Sequence, residues 1–150
     1  MNNSIVLLGD SIIDNTLYVE NYNVDYHIRT LLNDDVISND SVDGVTTNEV
    51  LASTLKGGYS TDTTHFVISV GGNNLLDLKK LVLDNDMADN LKALFVKQAM
   101  YNEVTYDMLS ILSGTFYSGY MTEIELIAVT LNYRYPKAEV VFLGLYEGNL

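Results

Sequence analysis

The sequence predicts an α/β fold, a layered sandwich built on a parallel sheet of about four or five strands. Short apolar runs, which suit strands buried on both faces, alternate with segments whose apolar residues recur at helical spacing. The chain has 150 residues, 47% of them hydrophobic, which is enough to bury the core of one domain. We therefore expect residues 1–150 to form a single domain.

The elements follow one another as strand, helix, strand, helix, strand, two helices, strand. Strands are predicted at Ile5–Leu8, Val36–Ser38, Phe66–Val70 and Val140–Leu145. The first helix carries Val24, Ile28, Leu31 and Leu32, and the second carries Val50, Leu51 and Leu55 after a cap at Thr46 or Thr47. The two late helices have apolar stripes at Leu91, Leu94, Phe95, Val104, Met108 and Ile111, and at Tyr117, Tyr120, Met121, Ile124, Ile127 and Leu131.

Composition excludes several function classes. Acidic residues outnumber basic residues by 20 to 8, and the resulting charge of −12 repels phosphate, so we expect no nucleic-acid partner. The chain has no cysteine, which excludes disulfides, thiolate metal sites and a cysteine nucleophile. No apolar stretch is long enough for a transmembrane helix, and the N-terminus lacks a basic leader. We expect a cytoplasmic protein, with a mature secreted form as the alternative.

Other ligand classes of α/β proteins also lack their motifs. The first strand is not followed by the glycine pattern of a dinucleotide site, and no phosphate-binding loop ending in Gly-Lys-Ser/Thr occurs. No cluster of histidines suggests zinc. We therefore expect neither a cofactor nor a metal.

Candidate functional residues follow three of the predicted strands. They are Gly9-Asp10-Ser11, Asp43-Gly44 and Gly71-Gly72-Asn73-Asn74. In open α/β sheets ligands bind at the carboxyl ends of the strands, so a hydroxyl, glycine backbone N–H groups and a side-chain amide would meet at one edge. These are the groups that acyl transfer requires. In the alternative interpretation Ser11 caps a turn and the glycines only form loops.

The same segments carry a resemblance to a known family. Gly9-Asp10-Ser11-Ile12-Ile13-Asp14, Ser41–Thr47 and Ser69–Asn74 resemble the three signature blocks of the SGNH (GDSL-type) hydrolases, in the family's order. The resemblance implies a flavodoxin-like three-layer sandwich and hydrolysis of an ester of a small molecule, lipid or carbohydrate. It also implies that Ser11 is the nucleophile, with the N–H groups of Ser11 and Gly44 and the amide of Asn73 as the oxyanion hole.

Three further residues have supporting roles under this resemblance. We expect Asp14 to order the loop of the nucleophile. Asp10, although adjacent to Ser11, is a poor general base at its ordinary pKa. Asn74 stands where many members of the family carry Asp, a mild departure because the preceding Asn is the donor.

The family's C-terminal Asp-x-x-His block, which supplies the base, has no counterpart after Asn74. The two histidines, His27 and His65, are expected to be structural or surface residues. We expect the chain to be a C-terminally short part of a longer hydrolase. The alternatives are a weakly catalytic protein that binds an acyl or sugar ester, and an interaction module. Apolar surface uncovered by the missing segment would favour self-association.

Overall fold

A computed structural model describes residues 2–83 and 105–144, with residues 78–83 and 105–116 described by their backbone alone. The described residues form four strands and four helices. In chain order these are β1 (Ser4–Gly9), α1 (Val24–Leu31), β2 (Val36–Asn39), α2 (Thr47–Lys56), β3 (His65–Ser69), α3 (Gly72–Leu83), α4 (Thr105–Arg134) and β4 (Glu139–Phe142). The strands make one parallel sheet in the order β2-β1-β3-β4, which confirms the predicted α/β class.

The first strand lies at the centre of this sheet and sets the register of its neighbours. Leu7 is opposite Asn39 of β2 on one side and opposite Val67 of β3 on the other. Every residue of β1 after Ser4 is buried, as expected of a central parallel strand whose two faces are both covered. Because all four strands run the same way, the segments that follow them emerge at one edge.

Helices cover the sheet on both faces. One core cluster packs strand residues against α2 and the end of α4, and its members include Val6, Leu8, Val50, Phe66, Ile68, Ile127 and Leu131. On the other face Ile5, Leu7 and Ile37 pack with Ile13 and with Val24 and Ile28 of α1. Each fully buried aliphatic or aromatic side chain stabilises the fold by about 1.5–3 kcal/mol. Packing of helices on both faces therefore stabilises the sheet. Loops follow the strands at its carboxyl edge.

The ends of the first two helices follow from local hydrogen bonds. Asn23 caps α1, because its side-chain oxygen accepts a 2.8 Å hydrogen bond from the N–H of Tyr26. Thr46 occupies the N-cap of α2, as the sequence predicts, but its side chain makes no capping hydrogen bond. The hydroxyl of the next residue, buried Thr47, instead donates to Glu123 at 2.7 Å and joins α2 to α4.

The later elements differ from the predictions at two places, and one helix, α3, was not predicted. The segment from Gly72 forms α3, although its glycine and asparagines favour a turn. Residues 105–134 form one continuous helix, where the two stripes predicted a break, so Gly114 does not interrupt it. The last strand begins at Glu139 and ends at Phe142, earlier than predicted, because its partner β3 ends at Ser69. Much of the first late stripe, including Leu91, and also Leu145 lie outside the described residues.

Backbone contacts divide the chain into two compact units, residues 1–73 with 123–150, and residues 74–122. The first unit contains the sheet, α1, α2 and the C-terminal end of α4. The second contains α3 from its third residue and the N-terminal part of α4. The single domain stays a prediction. Among residues 2–83 and 105–144 there is no helix long and apolar enough to cross a membrane.

Candidate active site

The turn that follows β1 presents Ser11 at the carboxyl edge of the sheet. Asp10 closes this turn, because its carbonyl accepts hydrogen bonds from Ile13 and Asp14 (3.1 and 2.9 Å) and its carboxylate accepts one from the N–H of Ile12 at 3.0 Å. Ser11 is half-buried, and neither its N–H nor its hydroxyl makes a hydrogen bond to a described residue. Within residues 2–83 and 105–144, no hydrogen-bond partner therefore occupies its backbone donor or its hydroxyl.

Gly9 allows this turn to start against β3. Its φ is +129°, and a Cβ at this position would lie 1.9 Å from the carbonyl oxygen of Ser69. Only glycine fits so close a backbone approach. The N–H of Asp10 then donates to the same Ser69 carbonyl at 2.9 Å, which fixes the start of the Ser11 turn.

The loop after β2 brings Gly44 to the same edge. Asp14 holds this loop, because its carboxylate accepts a 3.0 Å hydrogen bond from the N–H of Asp43. Gly44 has φ +86° and is exposed, with no atom within 4 Å of an ideal Cβ, and its N–H has no partner among the described residues. The ordering role expected of Asp14 thus takes the form of a bond between two loops.

A second bond between these loops was not predicted. The Tyr18 hydroxyl donates to the carboxylate of Asp43, with oxygen–oxygen distances of 3.0 and 3.3 Å. This bond raises the pKa of Tyr18, because ionised Tyr18 would face a carboxylate. The sequence does not mark the pair, since 25 positions separate its members and Tyr18 lies outside the three signature segments.

Asn73 connects the third loop to the second. It lies in the first turn of α3, and its side-chain nitrogen donates to the carbonyl of Val45 at 3.0 Å. An amide nitrogen carries two N–H donors, and the second has no partner among the described residues. Asn74 follows it on the same helix. The structure therefore ties the segment of Asn73 to the segment of Gly44.

Asp10 is a structural element of the turn. Its side chain is buried, and burial raises the pKa of its carboxyl group. Hydrogen bonds from the N–H of Ile12 and from its own N–H act in the opposite direction, and the charge of Asp43 adds to the rise. Its second oxygen lies toward Gly72, where an ideal Cβ would be 3.9 Å away. Asp10 makes no hydrogen bond to the Ser11 hydroxyl.

The two histidines have other surroundings. His65 begins β3 at the amino edge, with Nδ1 2.8 Å from the hydroxyl of Thr64 and Nε2 3.6 Å from the carboxylate of Glu139. His27 is exposed on α1, where its ring contacts the ring of Tyr26 at 5.5 Å between centroids. Neither forms a hydrogen bond with Ser11 in the described part of the chain.

A cavity of about 480 Å³ lies beside the site, between α2 and the ends of β1 and β2. Gly9, Val42 and Val45 line one side, and Glu49, Ser53 and Lys56 of α2 line the other. Ser11 does not line it, so we do not place a reacting group there. In residues 2–83 and 105–144 no three acidic or histidine side chains are grouped to hold a metal ion.

Comparison with known proteins gives structural neighbours only. No family model matches the chain, and no curated protein sequence matches it significantly. Its structure is similar to an extracellular lipase from Streptomyces rimosus, with a TM-score of 0.62 and 16% identity over 95% of this chain and 59% of the lipase. It is also similar to phospholipase A1 from Streptomyces albidoflavus, with a TM-score of 0.57 and 16% identity over 96% of this chain and 60% of that enzyme.

A third neighbour is the lipase Lip_vut3 from a goat rumen metagenome, with a TM-score of 0.52 and 19% identity over 97% of this chain and 65% of that lipase. The chain thus spans less than two thirds of the length of each of these structures. The likeness of fold, with the parallel sheet and its flanking helices, confirms the predicted fold class.

Proposed function

We propose that this chain, which has an SGNH (GDSL-type) hydrolase-like fold, forms the nucleophile and oxyanion half of a serine ester hydrolase. One observation carries the proposal. The Ser11 hydroxyl and the N–H groups of Ser11 and Gly44 lie at one sheet edge without partners among the described residues. Half-buried polar groups such as the N–H and hydroxyl of Ser11 are normally paired, so their lack of a described partner favours a ligand site, and the exposed Gly44 N–H adds a donor at the same edge.

The proposed reaction is acyl transfer to Ser11. The Ser11 oxygen attacks the ester carbonyl carbon, and its proton passes to a base. The carbonyl oxygen becomes an oxyanion, which accepts hydrogen bonds from the N–H groups of Ser11 and Gly44 and from the amide of Asn73. Such donors stabilise the transition state because they are already oriented toward the charge that develops. The alcohol then leaves with a proton, and water releases the acid from Ser11.

The base is the missing part of this proposal. His65 lies at the amino edge, His27 is bonded to neither Ser11 nor a carboxylate, and Asp10 is occupied by the turn. A serine hydroxyl without an adjacent base is a weak nucleophile. We therefore expect turnover by these 150 residues to be slow and to increase when a base is added.

Hydrolysis of a short-chain aryl ester with increasing imidazole tests this expectation. We expect a protein-dependent rate that rises with imidazole, that is lost in Ser11→Ala and that is kept in Ser118→Ala, a substitution of an exposed serine elsewhere. The mass of the intact protein should show one acyl group in the wild type and none in Ser11→Ala. Equal rates for wild type and Ser11→Ala at every imidazole concentration would reject Ser11 as the nucleophile.

A second candidate is a module that binds an ester or acyl ligand with little turnover. It is favoured by the same open donors combined with the absence of a histidine beside Ser11. Saturable binding of a non-hydrolysable phosphonate ester, lost in Gly44→Pro, together with no imidazole-dependent turnover would select it. The prediction that the ligand is a lipid, carbohydrate or small-molecule ester holds for both candidates.

Two features support the proposed association with a second copy. Val141 and Leu143 on and after β4 are 40% and 43% exposed, which is high for apolar residues of a sheet. Among the described residues β4 pairs with β3 alone, so the N–H and C=O groups of its outer edge have no strand partner there. Such edges pair readily with another chain. The cytoplasmic location and the lack of a nucleic-acid partner stay predictions.

A further inference from the structure

The segment between the Ser11 turn and α1 is a compact loop closed at its ends. The side-chain oxygen of Asn15 accepts a 2.9 Å hydrogen bond from the N–H of Val24, and Asn23 donates to the hydroxyl of Thr16 at 3.3 Å. We call residues 15–23 the 15–23 loop. Its ends meet and its tip projects, which is the form of an Ω-loop, a class that is often functional.

The 15–23 loop exposes apolar and aromatic side chains on either side of the exposed Glu20. Leu17 is 80% exposed and Tyr22 is 64% exposed, and Tyr18 is also largely exposed. Tyr22 has φ +58°, in the left-handed region, where a residue other than glycine is strained. The strained backbone presents its ring beside Tyr26, with 4.8 Å between ring centroids, and buries little of it. Several exposed apolar side chains within one short loop indicate an interaction surface.

This surface adjoins the candidate site. The 15–23 loop follows the Ser11 turn directly, and Ile12, next to Ser11, is also exposed. The hydrogen bond from Tyr18 to Asp43 joins the loop to the segment that contains Gly44. The loop that would meet a planar apolar phase therefore follows the Ser11 turn in the chain and is bonded to the segment that contains Gly44.

We propose that the 15–23 loop docks the protein on a phospholipid surface with zwitterionic headgroups and so presents Ser11 to that surface. This inference rests on the proposed ester hydrolase function, because a phospholipid bilayer is an array of esters. Tyrosine suits the boundary between hydrocarbon and water, since its ring is apolar and its hydroxyl is polar.

Charge selects the headgroup. The first Lys or Arg of the chain is Arg29, and the segment before it carries Asp10, Asp14, Glu20 and Asp25. Arg29 itself is paired with Asp25 at 2.8 Å. Docking on anionic lipid normally uses Lys and Arg near the surface, and residues 1–28 contain neither. Acidic residues in the same segment as the exposed apolar side chains favour headgroups without net charge.

Tryptophan fluorescence tests the orientation, because the chain has no tryptophan and each substitution gives a single reporter. Leu17→Trp reports on the loop, and Leu31→Trp is the matched control, since Leu31 is 79% exposed at the other end of α1. Both are made in Ser11→Ala protein so that lipid is not consumed. With phosphatidylcholine vesicles we expect a blue shift for Leu17→Trp and none for Leu31→Trp. No shift at position 17, or equal shifts at both, would overturn the proposal.

Vesicle sedimentation measures the affinity. We expect Leu17→Asp with Tyr22→Ser to lower the partition coefficient at least about tenfold, which corresponds to about 1.4 kcal/mol. Leu31→Asp should leave it unchanged, and partial replacement of phosphatidylcholine by phosphatidylglycerol should weaken binding. An unchanged partition coefficient in the loop variant, or stronger binding to the anionic vesicles, would refute the inference. Thermal unfolding checks that each variant remains folded.

The two proposals fail separately in these experiments. Vesicle binding is measured without turnover, and hydrolysis of the aryl ester is measured without vesicles. A protein that hydrolyses the soluble ester through Ser11 but does not bind phosphatidylcholine overturns only the lipid inference. A protein that binds vesicles through the 15–23 loop but gives no Ser11-dependent turnover overturns only the hydrolase.

Discussion

Polar groups at the amino edge and at the carboxyl edge of the sheet differ in whether they have hydrogen-bond partners. At the amino edge the groups pair with one another, as where the N–H of Ser4 donates to the Thr64 hydroxyl and that hydroxyl lies 2.8 Å from His65. The N–H of Asn3 donates there to Asp35 at 2.7 Å. At the carboxyl edge the hydroxyl and N–H of Ser11 and the N–H of Gly44 have no described partner. Paired groups stabilise a fold, whereas groups without a described partner at a fixed position are available to water or to the ligand proposed above.

The largest effect should come from the backbone contact that builds the open edge. In Gly9→Ala the new Cβ would meet the Ser69 carbonyl at 1.9 Å, so β1 and β3 must separate. We expect a loss of more than about 3 kcal/mol of unfolding free energy, measured by urea denaturation. Gly58→Ala is the control, because its φ of +92° is also unusual but its Cβ would meet nothing within 4 Å. That variant should lose about 1–2 kcal/mol, from backbone strain alone. Equal losses would show that contact with Ser69 is not the cause.

The second prediction contrasts a donor at the open edge with a histidine at the paired edge. Asn73→Ala should reduce the Ser11-dependent, imidazole-stimulated rate by about 10²–10³, the usual effect of removing one oxyanion donor. His65→Gln should change that rate less than about twofold, because a group at the far edge stabilises no charge at Ser11. Initial rates on a short-chain aryl ester measure both. A large loss of this rate in His65→Gln would contradict the prediction, because it would show that a residue at the amino edge contributes to the reaction.

A smaller effect is expected at the outer edge of β4, which shares the open character of the carboxyl edge. Val141→Lys places a charge on the exposed apolar surface and should raise the dissociation constant of a dimer by about tenfold, or about 1.4 kcal/mol. Val129→Lys, on an exposed position of α4, should leave it unchanged. Sedimentation equilibrium over a range of concentrations measures this. A wild-type protein that stays monomeric at all of them would end the proposal of self-association.

The smallest effect concerns pH. Burial raises the pKa of Asp10 in the folded protein above its ordinary value of 3.8, so folding favours the protonated form. This contribution to stability is present below pH 3.8 and is lost as pH rises through the raised pKa. The stability of Asp10→Asn relative to wild type should therefore increase with pH over that window, since Asn cannot ionise. Urea denaturation at several pH values checks the slope, and a difference independent of pH would contradict it.

Sequence predicted the sheet well because its signal is local. The run from Ile5 to Leu8 is apolar and bounded by Gly9, and such a run indicates a buried parallel strand without knowledge of its neighbours. None of α3 was predicted; its first residues, Gly72 and Asn73, disfavour helix, and tertiary contacts such as the bond from Asn73 to Val45 outweigh that preference.

The candidate site was predicted in part, because its residues follow strands that the sequence predicts. Parallel strands bring Ser11, Gly44 and Asn73 to one edge, so their proximity follows from the fold class. The bonds that fix the loops do not follow from it. The contacts of Asp43 with Asp14 and with Tyr18 join residues 29 and 25 positions apart, and no local pattern encodes them.

The position of β4 has a consequence for synthesis on the ribosome. Its partner β3 ends at Ser69, whereas β4 begins only at Glu139. At about 5–20 residues per second, the outer edge of β3 emerges about 4–14 s before the strand that pairs with it. Long-range parallel pairing of this kind is slow and leaves an unpaired edge exposed during translation. We therefore expect the nascent chain to depend on a chaperone during that interval, even though the finished sheet buries β3 completely at Phe66 and Ile68.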